Sequence, residues 1–485
     1  MLTAIPAGLA GTWVPQVHRA CAHNELDALL KRALGNHPGA TDYALFKAAV
    51  RKIARTAARF DGQKWSHEQV VASYTGPMRQ RYEEARLSLL EEPLGDRDWV
   101  LDCFVKAEKL CVVEKEPKPR LIFPRSPRFN LELASYLKHF EHWLWGNLKG
   151  VGQRGVRKSR VSAKGLNQRQ RANLISQKMA GFASPVVVEV DGKAFEAHVA
   201  VEQLQAEHSV YLRAFKGCPT LARLLGKQLV NRGRTPSGWK FKRPGGRASG
   251  DVNTGMGNTI IMIGLVEAVM RLICRRFDSL VDGDNALLFV EAEDLPALQG
   301  KFPGLALHHC GHEITIERPV RALEEVRFGQ SAPVRLPGGL QLVRDWRKVI
   351  SHATSSHSHM HHSAEVAPFL AGIALCEYSL AQGVPILGKY FYQLFLDCQA
   401  RTGKVSKAQH YRDYMAMGVD VGSVLRREPV WVEPTESSRL SFESAFDVSP
   451  DLQLAIERAL PRLGGTTMPG VQPGRHHVDW TDVAF

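Results

Sequence analysis

The chain has no Cys-x-x-Cys pair, and its eight cysteines are spread singly from Cys21 to Cys398. That scatter suits neither a zinc site nor a disulfide framework and points to free thiols in a reducing compartment. The apolar start MLTAIPAGLAGTW lacks a basic leading region, so it does not read as a signal peptide. No apolar run is long enough to cross a bilayer. The most apolar window, Thr259 to Cys274, is short and broken by Glu267 and Arg271. No internal repeat is present, which excludes a solenoid. Acids are absent from two tracts: Glu207 and Asp251 have none between them against ten basic residues, and Gly152 to Arg171 holds seven basic residues and no acid.

What is present belongs to a soluble globular protein, with 44% hydrophobic and 23% charged residues. At 485 residues the chain is long for a single core, so several lobes are expected. Lys and Arg number 63 against 49 acids, a net charge of +14. Such an excess serves solubility or a polyanionic partner. Its segregation into acid-free tracts favours a phosphate-lined channel over a mixed surface.

Helical periodicity runs over Leu26 to Ala58 and Ser66 to Glu91. Leu121 to Phe123 reads as a short strand, Val186 to Val190 as a buried strand, and Ala197 to Phe215 as a helix. Thr254 to Phe277 reads as a long buried helix, and Leu280–Val281 with Ala286 to Val290 as a hairpin. Leu340 to Val343 is a further strand, helices dominate after Ala364, and the Gly- and Pro-rich end after Leu463 reads as a loose tail. The implied class is α+β, a small antiparallel sheet backed by helices.

Three segments carry chemistry in this order. VVVEVDGKAFEAHV ends a strand on Asp191, GGRASGDVNTGMGN opens a helix after Ser249-Gly250, and LVDGDNALLFV sets Asp284 and Asn285 in a hairpin turn. Either aspartate alone is as well explained as a turn residue. Side by side on neighbouring strands they read as ligands for two divalent cations, Mg²⁺ or Mn²⁺, of the kind that clamp a transferring phosphoryl group. Asn258, in the first turns of the helix, has a side-chain amide able to read a ribose 2′-hydroxyl. Ser249, Asp251 and Asn253 are also good helix-start residues. Upstream, FVKAEKL and KPRLIFPRSPRFN supply Lys106, Lys109, Lys118, Arg120, Arg125 and Arg128, a basic set suited to a triphosphate.

Together these segments resemble the RNA-dependent RNA polymerases of positive-strand RNA viruses, nearest the tombusvirus-like group, over about Phe104 to Ile350. KAEK with PRLIFPRSPRFNLELASYLKHFEH is similar to that family's triphosphate-gripping fingertip motif, and KGLNQRQR is a further family-like segment. Ser249, Gly250, Thr254 and Asn258 match its SG-x-x-x-T-x-x-x-N pattern, and EEVRFGQSAPV resembles its loop at the base of the thumb. The sequence departs from the family at Asn285, where a second aspartate is usual, although a GDN version occurs in polymerases of non-segmented negative-strand viruses. It departs again at Glu196, where the partner of Asp191 is usually an aspartate. The lysine that usually donates a proton to pyrophosphate has no evident counterpart; Thr315 lies near its position, with His308, His309, His312 and Arg318 nearby.

The resemblance implies a right-hand fold. Residues 1–185 would form an extension and fingers, 186–340 a palm with a fingers insertion at about 208–247, 341–463 a helical thumb, and 464–485 a flexible tail. It implies metal-dependent, template-directed RNA synthesis with Asp191 and Asp284 on the metals. Glu196, Ser249, Gly250, Thr254 and Asn258 would lie on the nucleotide, beside the basic set. Implied partners are RNA template and product, NTPs, and viral or host replication proteins, in host cytoplasm within a membrane-associated complex that the chain does not itself span. Two alternatives stay open: a reverse transcriptase, and a polymerase-derived RNA-binding scaffold without chemistry. The histidines of SHATSSHSHMHH (His352, His357, His359, His361, His362) read as a solvated loop rather than a zinc site.

Overall fold

The computed structural model describes residues 2–3, 9, 11–35, 37–111, 117–460 and 472–473. Of the expected tail only 472–473 fall among them, paired antiparallel with Leu2–Thr3; the rest of it lies outside the described residues.

The run VVVEV forms the strand Pro185–Gly192, and its period-2 geometry splits its side chains between two cores. Val186, Val188 and Val190 pack with the long helix Thr254–Ile273, while Val187 packs with Ala172, Ile175 and Met179 of the helix Gln168–Met179. A stretch buried on both faces has no reason to alternate with polar residues, which explains the three consecutive valines Val186 to Val188. Pro185–Gly192 is central in a four-stranded sheet, with Ile314–Ile316 on one side and Asn285–Glu291 then Asp278–Asp282 on the other. All its pairings are antiparallel. The protein is thus a mixed helix-and-sheet fold with this sheet sandwiched between helical layers.

The helix Thr254–Ile273 is, among the described residues, the one long and apolar enough to cross a membrane, but its apolar window is 83% buried inside the protein. Its buried Glu267 accepts from Gly152 N at 2.7 Å and pairs with Lys52 at 2.5 Å, so the charge that interrupts the apolar window is satisfied. The helix ends earlier than its periodicity predicts. Cys274 turns extended (φ −118°, ψ 139°), and Phe277 leaves to exchange backbone hydrogen bonds with Arg154. Its start also differs: Asn253 makes no side-chain cap, and Thr254 closes the turn instead.

Other helices break where backbone geometry demands it. The predicted helix from Ala197 is two pieces, Phe195–His198 and Val201–Ala214, because Val199 and Ala200 are extended; the first piece starts after Ala194, left-handed at φ 47°. The first periodic stretch is likewise interrupted between Ala22–Ala28, continued by a π turn over Leu29–Ala33, and Ala44–Ala57. The second breaks between His67–Ala72 and Gly76–Glu91. The acid-free tract folds into the hairpin Val230–Arg234/Lys240–Pro244, whose exposed alternate positions carry Arg232, Arg234, Lys240 and Lys242. Leu101–Asp102 pairs with it in parallel. After the hairpin Ser331–Leu336/Gly339–Arg344 the chain is mainly helical, with Ser363–Leu380 and Leu387–Thr402 at the centre of a second core.

Candidate active site

Asp191 and Asn285 are directly opposed across the sheet, which places Asp284, the second residue of the two-residue turn Gly283-Asp284, beside Asp191. Gly283 takes a left-handed φ of 68°, and its N–H donates to Thr259 Oγ1 at 3.0 Å, tying the turn to the long helix. A cavity of about 590 Å³ opens here, walled by Asp191, Asp284 and Asn285 on one side and by Glu196, Arg247, Ser249 and Asn258 on another. Arg32, Lys106, Arg120, Lys193 and Arg243 also line it. A second cavity of about 940 Å³ shares Asp191 and Asn285 and reaches Glu189, Glu317, Arg327 and Phe446.

Asp282 and Asp191 are shifted in opposite directions. Asp282 forms ion pairs with Lys164 and Arg171, each at 2.7 Å. Burial pushes its carboxyl up, but the two cations outweigh that and hold it below the ordinary range. Asp191 is raised instead, by burial and then by the charge of Asp284. Among the described residues neither Asp191 nor Asp284 is paired with a cation. Two neighbouring, mutually repelling carboxylates without a counter-ion fit a divalent cation. No group of three His, Cys, Asp or Glu side chains among the described residues adds a third protein ligand, so waters and a ligand's own phosphate oxygens would complete the shell, as is usual for Mg²⁺. Glu189, two residues before Asp191 on the same face, is pushed up to about 7 by burial, then by Glu317 and Asp191.

Asn258 Nδ2 donates to Glu196 Oε1 at 3.3 Å, and both side chains line the cavity. Burial raises the Glu196 carboxyl, opposed by Arg247 and the Asn258 bond. The Ser249 hydroxyl is buried at the cavity wall with no partner among the described residues, so it is available to a ligand. Gly250 is required sterically, since a Cβ there would lie 2.5 Å from Cα of Pro124.

Several residues expected on the nucleotide stand elsewhere. Thr254 Oγ1 donates to the carbonyls of Ala248 and Asp251 at 2.8 Å each, and so shapes the turn rather than facing the cavity. Arg125 is fully buried beneath that turn, paired with Asp251 and bonded to Asn231 Oδ1 at 2.6 Å. Lys109 is half-buried and donates to the His352 carbonyl at 2.6 Å. Lys118 is exposed and outside the cavity wall. Only Lys106 and Arg120 of the upstream set reach the cavity, because the strand Leu121–Ile122 is too short to align the whole series on one face. Arg128 clamps Asp98, with Nε 3.2 Å from Oδ1.

Arg32, Lys193, Arg243 and Arg247 were not predicted. Lys193 lies two residues after Asp191 and pairs with Glu313 at 3.1 Å, while Arg32 comes from a helix with no recognisable motif. The proton-donor position stays without a lysine of its own. Thr315 faces Asp191 across the sheet, Arg318 pairs with Glu325 at 2.9 Å, and His312 is wholly buried, stacked on Phe195 at 4.4 Å. The histidine run is partly packed rather than simply solvated. His352 stands edge-on to Trp13 at 5.9 Å, and His359 lies against Phe369 at 4.7 Å and His410 at 4.6 Å.

The end of two central strands, carrying two unneutralised carboxylates and faced by a basic wall and a polar pair, is equipped to hold a metal-bound polyphosphate. The family model described as viral RNA dependent RNA polymerase matches residues 9–465, and the chain belongs to that family. It is 32% identical over 422 residues to the RNA-directed RNA polymerase of Tobacco necrosis virus (strain A), covering 85% of this chain and 56% of that protein. To that of Tomato bushy stunt virus (strain Cherry) it is 31% identical, over 92% of the chain and 54% of the relative. Turnip crinkle virus gives 31% identity over 80% of the chain and 49% of the relative. The chain therefore spans about half the length of these curated relatives, and the expected tombusvirus-like resemblance is borne out.

Proposed function

We propose that the chain is the catalytic part of an RNA-directed RNA polymerase that copies a viral RNA genome. The observation that carries this is the convergence of Asp191, Asp284, the Glu196–Asn258 pair and a basic wall on one cavity. In this reading the four-stranded sheet is the palm. Residues up to 185 and about 208–247 are the extension and fingers, and 341–463 the thumb. Asp191 and Asp284 hold divalent cations, Mg²⁺ with Mn²⁺ as the substitute, which supply charge neutralisation and Lewis acidity for in-line phosphoryl transfer. Arg32, Lys106, Arg120, Lys193 and Arg243 position the triphosphate, so catalysis is largely placement and electrostatics. Glu196, Asn258 and the free Ser249 hydroxyl orient the ribose. The second cavity, sharing Asp191 and Asn285, receives the 3′ end of the growing strand. RNA and NTPs are the substrates, and the setting is host cytoplasm in a membrane-associated replication complex with other viral or host proteins.

The direct test is extension of a primed RNA template with labelled NTPs, with and without a chelator. Metal-independent incorporation, or none at all, overturns the proposal; equal use of dNTPs indicates a reverse transcriptase instead. RNA affinity should fall with salt at a log–log slope of about −0.7 per phosphate contact. A flat affinity between low and moderate salt contradicts a phosphate-lined channel. Asn285→Asp should preserve synthesis and raise activity with Mg²⁺ relative to Mn²⁺, since it adds a carboxylate directly opposite Asp191. Loss of synthesis in that variant would give Asn285 a hydrogen-bonding role of its own.

A further inference from the structure

Arg247 touches both halves of the polar pair at the cavity. Its backbone N–H donates to the Glu196 carbonyl at 2.8 Å, and its Nε donates to Asn258 Oδ1 at 3.0 Å. The rest of the guanidinium is held by Glu207, with Nη1 3.3 Å from Oε1 and Nη2 on Oε2. Glu207 is fixed in turn by the Tyr211 hydroxyl at 2.6 Å and by Asn253 Nδ2 at 3.2 Å. The ion pair is almost wholly buried, its side chains 2% and 0% exposed. It lies so close to the long helix that a Cβ at Gly257 would stand 2.4 Å from both Arg247 Nη2 and Glu207 Oε1.

A guanidinium has donors only, so the amide atom facing Arg247 must be the oxygen. The NH₂ group is thereby turned to Glu196 and the cavity. One of its hydrogens goes to Glu196 Oε1, the second is left for a ligand, and Glu196 Oε2 remains an acceptor. A donor and an acceptor fixed side by side match a hydroxyl, which accepts one hydrogen bond and donates another.

We infer that Arg247, held by Glu207, is a positioning residue that sets the polarity of the Asn258–Glu196 pair, so that the site selects a sugar substituent able both to donate and to accept. This rests on the polymerase reading above. Without Arg247 the amide is free to flip, and its oxygen would then face Glu196 and repel it.

The experiment measures kcat/KM for NTP and dNTP, with RNA affinity and melting temperature alongside, in wild type, Arg247→Lys and the paired Arg247→Met/Glu207→Met variant. Lysine keeps the charge on Glu207 but has no fork to hold Asn258 as well; the paired change leaves no buried charge unpartnered. Both should lower the NTP-over-dNTP preference about tenfold or more, a part of the roughly 10⁴–10⁵ by which a hydroxyl-reading site can discriminate, with unchanged RNA affinity. An unchanged preference in a folded variant overturns the inference. The wild type also decides without any variant: 2′-amino-NTPs, which donate and accept, should be used better than 2′-fluoro-NTPs, which have no donor. The reverse or an equal order overturns it. Absence of any ribonucleotide addition by wild type instead sinks the polymerase reading itself.

Discussion

Asp284→Ala should reduce nucleotide addition by roughly a thousandfold or more, the scale on which loss of a group stabilising developing charge is felt. The protein should stay folded. Asp284 raises Asp191 by like-charge repulsion, and neither has a cationic partner among the described residues. Removing one carboxylate therefore relieves repulsion and leaves nothing unpaired, so the melting temperature should hold or rise. Asp191→Ala should behave alike, and RNA affinity should persist in both because the basic hairpin and walls are untouched. Asp282→Ala makes the contrast: its carboxylate is neutralised by Lys164 and Arg171, so its loss should act on stability through two stranded cations rather than on metal dependence. Near-normal extension by Asp284→Ala, measured on primed RNA, would remove it from the reaction.

The second large effect concerns stability. Asp251→Ala strips the partner from Arg125, whose side chain is 0% exposed. Breaking a buried pair from one side costs about 3–5 kcal/mol, because the remaining charge keeps its desolvation penalty. Denaturant midpoints should show that loss, together with loss of the turn that presents Ser249. Arg120→Ala should do the opposite. Its pairing with Glu108 at 3.5 Å is exposed and worth at most about 1 kcal/mol, so stability should hold while KM for NTP rises. If Asp251→Ala were stable but bound NTP poorly, Arg125 would belong to the nucleotide after all.

Arg125 shows why the sequence misled where it did. Lys106, Arg120 and Arg125 come from two neighbouring basic segments, and residue type cannot say which points to a cavity and which is drawn under a turn by an aspartate more than a hundred positions away. Lys109 was misplaced for the same reason, its partner being a backbone carbonyl. The aspartates were legible because strand alternation and a two-residue hairpin leave few places for them, and because Asp191 and Asn285 fall in register. The resemblance put Glu196 and Asn258 at one site, and the structure adds the hydrogen bond between them. Arg32 and Arg243 left no signal, since cationic side chains on a surface helix and a basic hairpin look alike whether or not a cavity lies beside them. The long helix was found by its apolar length, yet its end was missed because Cys274 and Phe277 are as apolar as the helix itself.

The central strand, Pro185–Gly192, has both of its neighbours later in the chain, Asn285–Glu291 and Ile314–Ile316. During synthesis, VVVEV therefore leaves the ribosome long before either partner exists, and Asp191 is made well ahead of the turn that must face it. For that interval an apolar strand has two open edges. Non-local pairing of this kind folds slowly, and fragments that stop before Glu291 carry an unpaired apolar strand whose natural fate is association with copies of itself.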